Sequence, residues 1–321
     1  MEKIYYLNPT TTNENRHKTY ILDSNIVIGL SRLYYGRYSN EDDVNGHNEL
    51  FQSLKEEDVI PGIGIQELSW NYEINKQNHE LRNQLVNAMN GLFKNSIDRD
   101  RKHLNIGSMN FNGLYSNREV NELMLMSNCL LKKFAILYSS GMSNEKIFYG
   151  LIDFINKEHK MLLSYEFILI TNFLFSKNQT YSTMLKKLFK INSKTISDKQ
   201  IYNGNWDLFF LRLVHDLTLR AFDGKAISNI YNVCLITKDK ALYDIGTSLF
   251  NNHENTNVSV GNRTAFGIFL DTDGIRNGDW EIVENGYRLL CENESDRISF
   301  LQNNDLINHY TNLLKTLDDL R

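Results

Sequence analysis

The stretch YILDSNIVIG, residues 20–29, decides the fold that this sequence predicts. A short apolar run ends at Asp23, and Ser24 and Asn25 follow as the next element begins. This pattern is typical of a buried strand that leads into a helix. It places a carboxylate at the carboxyl end of the strand, which is the edge where open α/β sheets bind their ligands.

A second stretch, VCLITKD at residues 233–239, repeats this arrangement far downstream, with Asp239 just past the apolar run. Between the two, Val59 and Ile60 form a short apolar segment that Pro61 ends. Strands alternate with helical patterns at both ends of the chain, which predicts a mainly parallel sheet interrupted by a helical block. We therefore expect Asp23 and Asp239 at the same edge of one sheet.

Composition bounds the class of protein. The chain has 321 residues, 41% of them hydrophobic, and a net charge of −4, so it can bury a sizeable core but has no overall electrostatic attraction for nucleic acid. Any such attraction must come from local basic patches or bound cations. Three widely spaced cysteines favour a reducing compartment and disfavour disulfides or a zinc site, and no signal peptide or membrane span is visible. We expect a cytoplasmic protein.

Four regions follow from the pattern. Residues 1–75 hold the first part of the α/β core, residues 76–202 a mainly helical insertion, residues 203–261 the second part of the core, and residues 262–321 a C-terminal α+β extension. In the third region Asn205 is predicted to cap a helix that carries Asp207 in its first turn. A polar loop is predicted through Asp42, Asp43 and Gly46, before a helix at residues 48–57.

Four acids occupy matching positions around the predicted sheet. Asp23 and Asp239 end strands, Glu67 lies in the helix after the second strand, and Asp207 precedes the late strand. Convergent carboxylates repel one another and stay ionised together mainly when they share a hard divalent cation such as Mg²⁺ or Mn²⁺. A metal held in this way supports hydrolysis of phosphodiester bonds.

The chain here resembles the PIN-domain family of metal-dependent ribonucleases. The matching segments are LDSNIV (residues 22–27), IQEL (65–68), WDLFFL (206–211) and LITKD (235–239). The resemblance covers roughly residues 18–75 and 203–261. It implies a three-layer α/β/α sandwich with a parallel sheet, a Mg²⁺ or Mn²⁺ site made by Asp23, Glu67, Asp207 and Asp239, and cleavage of RNA.

Two departures from the family pattern bear on the third acid. The 140 positions from Glu67 to Asp207 require the helical insertion, and Asp216, which lies 23 positions before Asp239, fits the usual spacing better than Asp207 does. Asp207 is preferred because it is predicted at a helix start, whereas Asp216 has arginines four residues on either side and could be a salt-bridged surface acid.

Each acid also has an ordinary structural explanation. Asp23 could serve only as a helix N-cap, Asp239 as a turn residue, and Asp207 as a complement to the helix dipole. Glu67 could be a solvated helix acid, with Glu73 as its substitute in the site. These alternatives stay open at the level of sequence.

Other residues receive supporting roles. Ser24, Asn25 and Thr237 are predicted to orient the acids through hydrogen bonds. Lys186, Lys187 and Lys190 are candidates for contacts with an RNA backbone, as is the basic group at residues 99–103, although solvated helix faces explain both.

We therefore expect a metal-dependent endoribonuclease with RNA as its substrate. A toxin paired with an antitoxin, a phage-defence nuclease and an RNA-processing enzyme are all compatible with the sequence, as is a homodimer. Two alternatives remain: a catalytically silent PIN-like scaffold that binds RNA or protein, and a structure-specific DNA nuclease of the flap-endonuclease type.

Overall fold

The computed structural model describes residues 3–8, 18–38, 41–71, 76–93, 104–105, 110–111, 117–189, 196–222, 233–251, 258–260, 263–265 and 274–320. The protein is mixed α/β, with a mostly parallel four-stranded sheet and a large helical content. It divides into two compact units, one made of Met1–Asn117 and Phe210–Phe266, the other of Arg118–Phe209 and Gly267–Arg321. The boundaries predicted from sequence, after residues 75, 202 and 261, differ in position from the boundaries of these units, after residues 117, 209 and 266.

The elements are numbered here in chain order. The strands are β1 Tyr5–Leu7, β2 Thr19–Leu22, β3 Asp58–Ile60, β4 Trp70–Asn71, β5 Lys76–Gln77, β6 Leu104–Asn105, β7 Asn110–Phe111, β8 Val233–Thr237, β9 Val258–Val260 and β10 Arg263–Ala265. The α-helices are α1 Ser24–Tyr35, α2 Glu41–Leu54, α3 Gly62–Ser69, α4 His79–Leu92, α5 Asn117–Ser139, α6 Asn144–Phe154, α7 Ser164–Phe175, α8 Gln179–Leu188, α9 Asp198–Phe222, α10 Lys240–Asn251, α11 Trp280–Glu292, α12 Glu294–Asn303 and α13 Leu306–Asp319. A π-helical turn, Ile155–His159, follows α6.

The main sheet belongs to the first unit and has the order β1-β8-β2-β3. Strand β2 pairs in parallel with both β3 and β8, which agrees with the mainly parallel sheet that the sequence predicts, and β1 adds an antiparallel edge strand that was not predicted. All five residues of β8 are buried, which explains its continuous apolar sequence. The predicted strand at residues 258–261 forms β9, which pairs with β10 in a separate hairpin.

Helix α1 confirms the helix predicted after Asp23. It buries Ile26, Val27 and Leu30 on one face against the core of the first unit, where α2 and α4 also contribute apolar side chains. The helix ends at Gly36, which has a φ of 65° and donates its backbone N–H to the last turn. Packing of this buried face holds α1 in place, with its first turn at the edge of the sheet.

The loop predicted through residues 42–46 is wrong, because α2 begins at Glu41. Three acids in its first turn interact favourably with the helix dipole and stabilise the start of the helix. His47, Leu50 and Leu54 give it a buried face at helical spacing. Packing of these side chains in the core stabilises the helix, although its local sequence is polar.

The predicted helix start at Asn205 is also wrong. Helix α9 begins seven residues earlier, after a capping box in which the Gln200 N–H donates to Ser197 Oγ (3.3 Å) and the Ser197 N–H donates to Gln200 Oε1 (2.7 Å). Asn205 lies inside the helix and donates its side-chain N–H to the Met124 carbonyl (2.9 Å). Asp207 therefore does not lie in a first turn, and the reason for preferring it over Asp216 disappears.

Over the described residues of the second unit, the regular secondary structure is helical, apart from a single β-bridge between Ser176 and Ile275. The C-terminal extension, residues 262–321, was predicted as α+β, and its described residues form the strand β10 and the three helices α11 to α13. Among the described residues, no helix is both long enough and apolar enough to cross a membrane.

Candidate active site

Asp23 and Asp239, which we call the acidic pair, follow the carboxyl ends of neighbouring parallel strands. Strand β2 ends at Leu22, which pairs with Ile236 of β8, so the residues that follow the two strands lie level with each other. The backbone N–H of Asp23 donates to the Ile236 carbonyl (3.0 Å) and extends this pairing. The sheet therefore brings the two carboxylates to one edge, as the sequence predicts.

The Asp23 carboxylate is buried, with 3% of the residue exposed, and the groups that donate to it among the described residues are neutral. Its Oδ1 accepts from the Ser24 N–H (2.6 Å), and its Oδ2 accepts from Asn25 Nδ2 (2.5 Å) and from the Thr237 hydroxyl. Burial raises the pKa of Asp23, and the charge of Asp239 raises it further, against these hydrogen bonds. In the part of the chain that the structure describes, no Lys or Arg forms an ion pair with Asp23.

Asn25 and Thr237 join the two halves of the site. The Thr237 oxygen accepts from the Asp239 N–H (2.9 Å) while its hydroxyl donates to Asp23. Asn25 donates to Asp23 and accepts from the Lys238 N–H at its Oδ1 (3.0 Å). These bonds hold the two strand ends in register and orient the Asp23 carboxylate, the role predicted for Asn25 and Thr237.

Both acids also cap helices, so the ordinary structural role that the sequence allowed for each, as a cap or turn residue, agrees with the geometry. Asp239 is half-buried and its Oδ1 accepts from the N–H groups of Ala241 (2.8 Å) and Leu242 (3.1 Å) at the start of α10. Asp23 precedes α1, but its Oδ1 accepts from the first helical residue, and its Oδ2 is directed to another strand. Helix capping thus accounts for the bonds of Asp239 Oδ1, whereas Asp23 Oδ2 is held by Asn25 and Thr237 and takes no part in a cap.

Glu67 lies on the helix face that contacts the end of β2. Helix α3 approaches so closely at Gly64 that a Cβ there would lie 2.7 Å from the Leu22 carbonyl oxygen and 3.1 Å from the Asp23 carbonyl carbon. Glu67 follows one turn later on the same face and is half-buried. Helix α3 starts at Gly62 and ends at Ser69, and Glu73 lies outside the described residues.

The remaining predicted residues do not complete the site. Asp207 is buried and belongs to the second unit, while Asp216 belongs to the first, with its side chain outside the described part. Lys186 and Lys187 are exposed at the end of α8. Lys190 and the basic group at residues 99–103 fall outside the described residues.

The acidic pair has the chemistry that a hard divalent cation requires. It offers carboxylate oxygens, one of them on a buried acid whose hydrogen-bond donors are all neutral. Over the described residues, no group of three or more His, Cys, Asp and Glu side chains lies close enough together to hold a metal ion. The donors that fit a metal are thus Asp23 and Asp239, and further ligands stay a prediction.

Sequence reasoning missed a cleft next to the acidic pair. Its volume is about 260 Å³. One face of α1 lines it with Asn25, Ile28, Gly29 and Arg32. The rest of the lining comes from Asp43 and His47 of α2, from Tyr38 between the two helices, and from Lys238 after β8. Residues 25, 28, 29 and 32 have helical spacing, so the sequence could have shown that they share one face of α1. The opposite wall was missed because residues 42–46 were predicted as a loop, whereas they belong to α2.

Comparison of the chain with protein-family models, with curated proteins and with solved structures finds no match. The site is therefore interpreted from its own geometry.

Proposed function

We propose that this protein is a metal-dependent ribonuclease that hydrolyses RNA phosphodiester bonds at the acidic pair, in a PIN-like core with a three-layer α/β/α arrangement. The observation that supports this most strongly is the position of Asp23 beside Asp239 at the ends of adjacent parallel strands. Asp23 is a buried carboxylate whose donors, over the described part of the chain, are neutral. Two such carboxylates are costly to ionise together unless they share a cation.

In this proposal Asp23 and Asp239 hold Mg²⁺ or Mn²⁺. Glu67 is the third ligand, and the fourth is Asp216, the alternative that the sequence offered to Asp207 and the one of these two acids that belongs to the same unit as the acidic pair. The bound ion would supply an activated water and neutralise charge on the phosphate. Asn25 and Thr237 keep the Asp23 carboxylate oriented, and the Ser24 N–H holds its other oxygen.

The proposal extends to the partner and the compartment. Lys186, Lys187 and Lys190 are assigned to the RNA backbone. All three cysteines are free, and burial raises the pKa of Cys129 and Cys234 to about 12, so these two stay unreactive thiols. This state of the cysteines supports a reducing compartment, which we take to be the cytoplasm.

The test is cleavage of a labelled single-stranded RNA by the purified chain with Mg²⁺ or Mn²⁺. We expect Asp23→Asn and Asp239→Asn to lower the rate by about 100-fold or more, since each removes a charged metal ligand. Asp244→Asn is the matched control, because this acid pairs with Lys240 on the surface of α10. The proposal fails if the wild-type chain cleaves no RNA or if either variant cleaves at the wild-type rate.

A second candidate is a catalytically silent scaffold that binds RNA or protein. It is favoured by the capping role of both acids, which gives each a purpose without catalysis. Calorimetry with Mn²⁺ separates the two, because only the nuclease requires binding that Asp239→Asn abolishes. Single-stranded DNA and flap substrates, assayed beside RNA, test the DNA nuclease alternative.

A further inference from the structure

The cleft lined by Asn25, Ile28, Gly29, Arg32, Tyr38, Asp43, His47 and Lys238, which we call the basic cleft, opens beside the acidic pair. Asn25 belongs to both, because it lines the basic cleft and donates to Asp23 Oδ2 (2.5 Å). At the same end Lys238 precedes Asp239 in the chain. A group bound in the cleft would therefore lie next to the reaction that we propose for the acidic pair.

The charge of the basic cleft is positive although the chain as a whole is acidic. Arg32 is exposed and has no carboxylate partner among the residues that the structure describes, and Lys238 Nζ lies 3.9 Å from Asp43 Oδ1. Burial lowers the pKa of His47, and the charges of Lys238 and Arg32 lower it further, so His47 is neutral near pH 7. Two cations thus face one carboxylate in this cleft.

The walls of the basic cleft are held in place by specific contacts. The Tyr38 hydroxyl donates to the Gly29 carbonyl (3.1 Å), and His47 Nδ1 lies 2.7 Å from the Asp43 carbonyl oxygen, to which it donates in the neutral form. The imidazole lies so close to Gly29 that a Cβ at this position would be 1.9 Å from Nε2. The cleft is therefore formed before any ligand binds.

Its size limits the ligand. A volume of about 260 Å³ is below the range of about 300–1,000 Å³ that is typical of pockets for whole small molecules. It suits one phosphate group with part of its sugar. Arginine and lysine are the usual phosphate-binding side chains.

We propose that the basic cleft binds a backbone phosphate of a single-stranded RNA through Arg32 and Lys238, next to the bond that the acidic pair hydrolyses. This inference rests on the proposed function, whose substrate it positions. Asp43 competes with the phosphate for Lys238 in the free protein, so it weakens binding of the substrate and is displaced when the phosphate enters.

The experiment measures fluorescence anisotropy of a labelled single-stranded oligoribonucleotide in EDTA, where metal-dependent cleavage cannot occur. We expect Arg32→Gln and Lys238→Gln each to weaken binding about 10-fold and to reduce the slope of log affinity against log salt by about one. We expect Asp43→Asn to tighten binding several-fold. Lys240→Gln is the matched control, because this exposed lysine lies two residues from Lys238 and donates to Asp244 Oδ2 (2.5 Å).

The inference is overturned if the wild-type chain does not bind the oligoribonucleotide, or if Arg32→Gln and Lys238→Gln bind it as tightly as Lys240→Gln does. It is also overturned if single-stranded DNA and double-stranded RNA bind with equal affinity and equal sensitivity to these variants. Circular dichroism of each variant checks that the fold is retained.

The same variants separate this inference from the proposed function. RNA cleavage that is unchanged in both cleft variants rejects the basic cleft and leaves the nuclease standing. Binding that depends on Arg32 and Lys238, without cleavage under any metal condition, rejects the nuclease and supports the phosphate site.

Discussion

The Thr237 hydroxyl donates a hydrogen bond to Asp23 Oδ2 across 214 positions of sequence. This bond joins the ends of two neighbouring parallel strands, and the same oxygen accepts from the Asp239 N–H. The Thr237 hydroxyl thus orients the Asp23 carboxylate and holds the backbone N–H of Asp239 in place. The two acids form a geometric unit through this residue.

The first prediction concerns pH. The raised pKa of Asp23 means that the folded chain holds this proton more tightly than the unfolded chain, so the free energy of unfolding falls as the pH rises above about 4. Asp23→Asn removes this contribution. In EDTA, urea unfolding from pH 4 to pH 7 should show the wild-type chain losing stability relative to the variant, and a constant difference would contradict the raised pKa.

The second prediction concerns metal binding and stability. A cation that binds only the folded chain stabilises it by about 2.7 kcal/mol at 100 times its dissociation constant. We expect Mn²⁺ to raise the melting temperature of the wild-type chain and EDTA to reverse the effect. Asp239→Asn should keep the cap of α10, because Asn caps as well as Asp, yet lose the response to Mn²⁺.

The control for this measurement is Asp244→Asn, which should respond to Mn²⁺ as the wild-type chain does, because Asp244 pairs with Lys240 on the surface of α10. An equal response in the wild-type chain and in Asp239→Asn would place the metal elsewhere.

The third prediction concerns Thr237. Thr237→Val keeps the shape of the side chain but removes the donor to Asp23 and leaves the Asp239 N–H without its acceptor. We expect a loss of about 1–3 kcal/mol in stability and about 10–100-fold in RNA cleavage. Thr237→Ser restores the hydroxyl and should recover most of the activity, so equal activity in the Val and Ser variants would show that the hydroxyl has no positioning role.

The fourth prediction concerns the close approach of α3 to β2. Gly64→Ala places a Cβ 2.7 Å from the backbone oxygen of Leu22, which cannot move without shifting the strand. We expect a loss of about 1–3 kcal/mol in the free energy of unfolding, measured with urea.

Gly150→Ala is the control for this substitution. Its Cβ would meet only the end of the Leu137 side chain, at 3.2 Å, and alanine favours the helix, so its stability should stay within about 1 kcal/mol of the wild type. Equal effects at both glycines would contradict the tight contact at Gly64.

The fifth prediction concerns Lys132, which is 4% exposed and forms ion pairs with Asp198 and Asp318, both about half-exposed. Replacing both acids by Asn leaves a buried charge without these partners and should cost about 3–5 kcal/mol. Lys132→Met removes the buried charge and lets the two acids return to water, so it should cost far less. Urea unfolding measures both, and a larger loss for Lys132→Met would contradict this asymmetry.

Local pattern predicted the elements that build the acidic pair. The apolar run before Asp23 and the one before Asp239 identified β2 and β8, because a buried parallel strand needs apolar side chains on both faces. Local pattern failed at α2 and at the start of α9. Polar residues hid the beginning of α2, before the predicted helix at residues 48–57, and Asn205 was preferred to the capping box at Ser197 as the start of α9.

The sequence by itself determined that two aspartates end two buried strands, because strand periodicity and helix capping are encoded within a few residues. Only the tertiary structure decided that β2 and β8 are neighbours, that Thr237 bonds to Asp23, and that Arg32 and Lys238 line one cleft. These relationships depend on the order of strands and on which helix faces meet. Both are set by burial across the whole core, which no short stretch of sequence records.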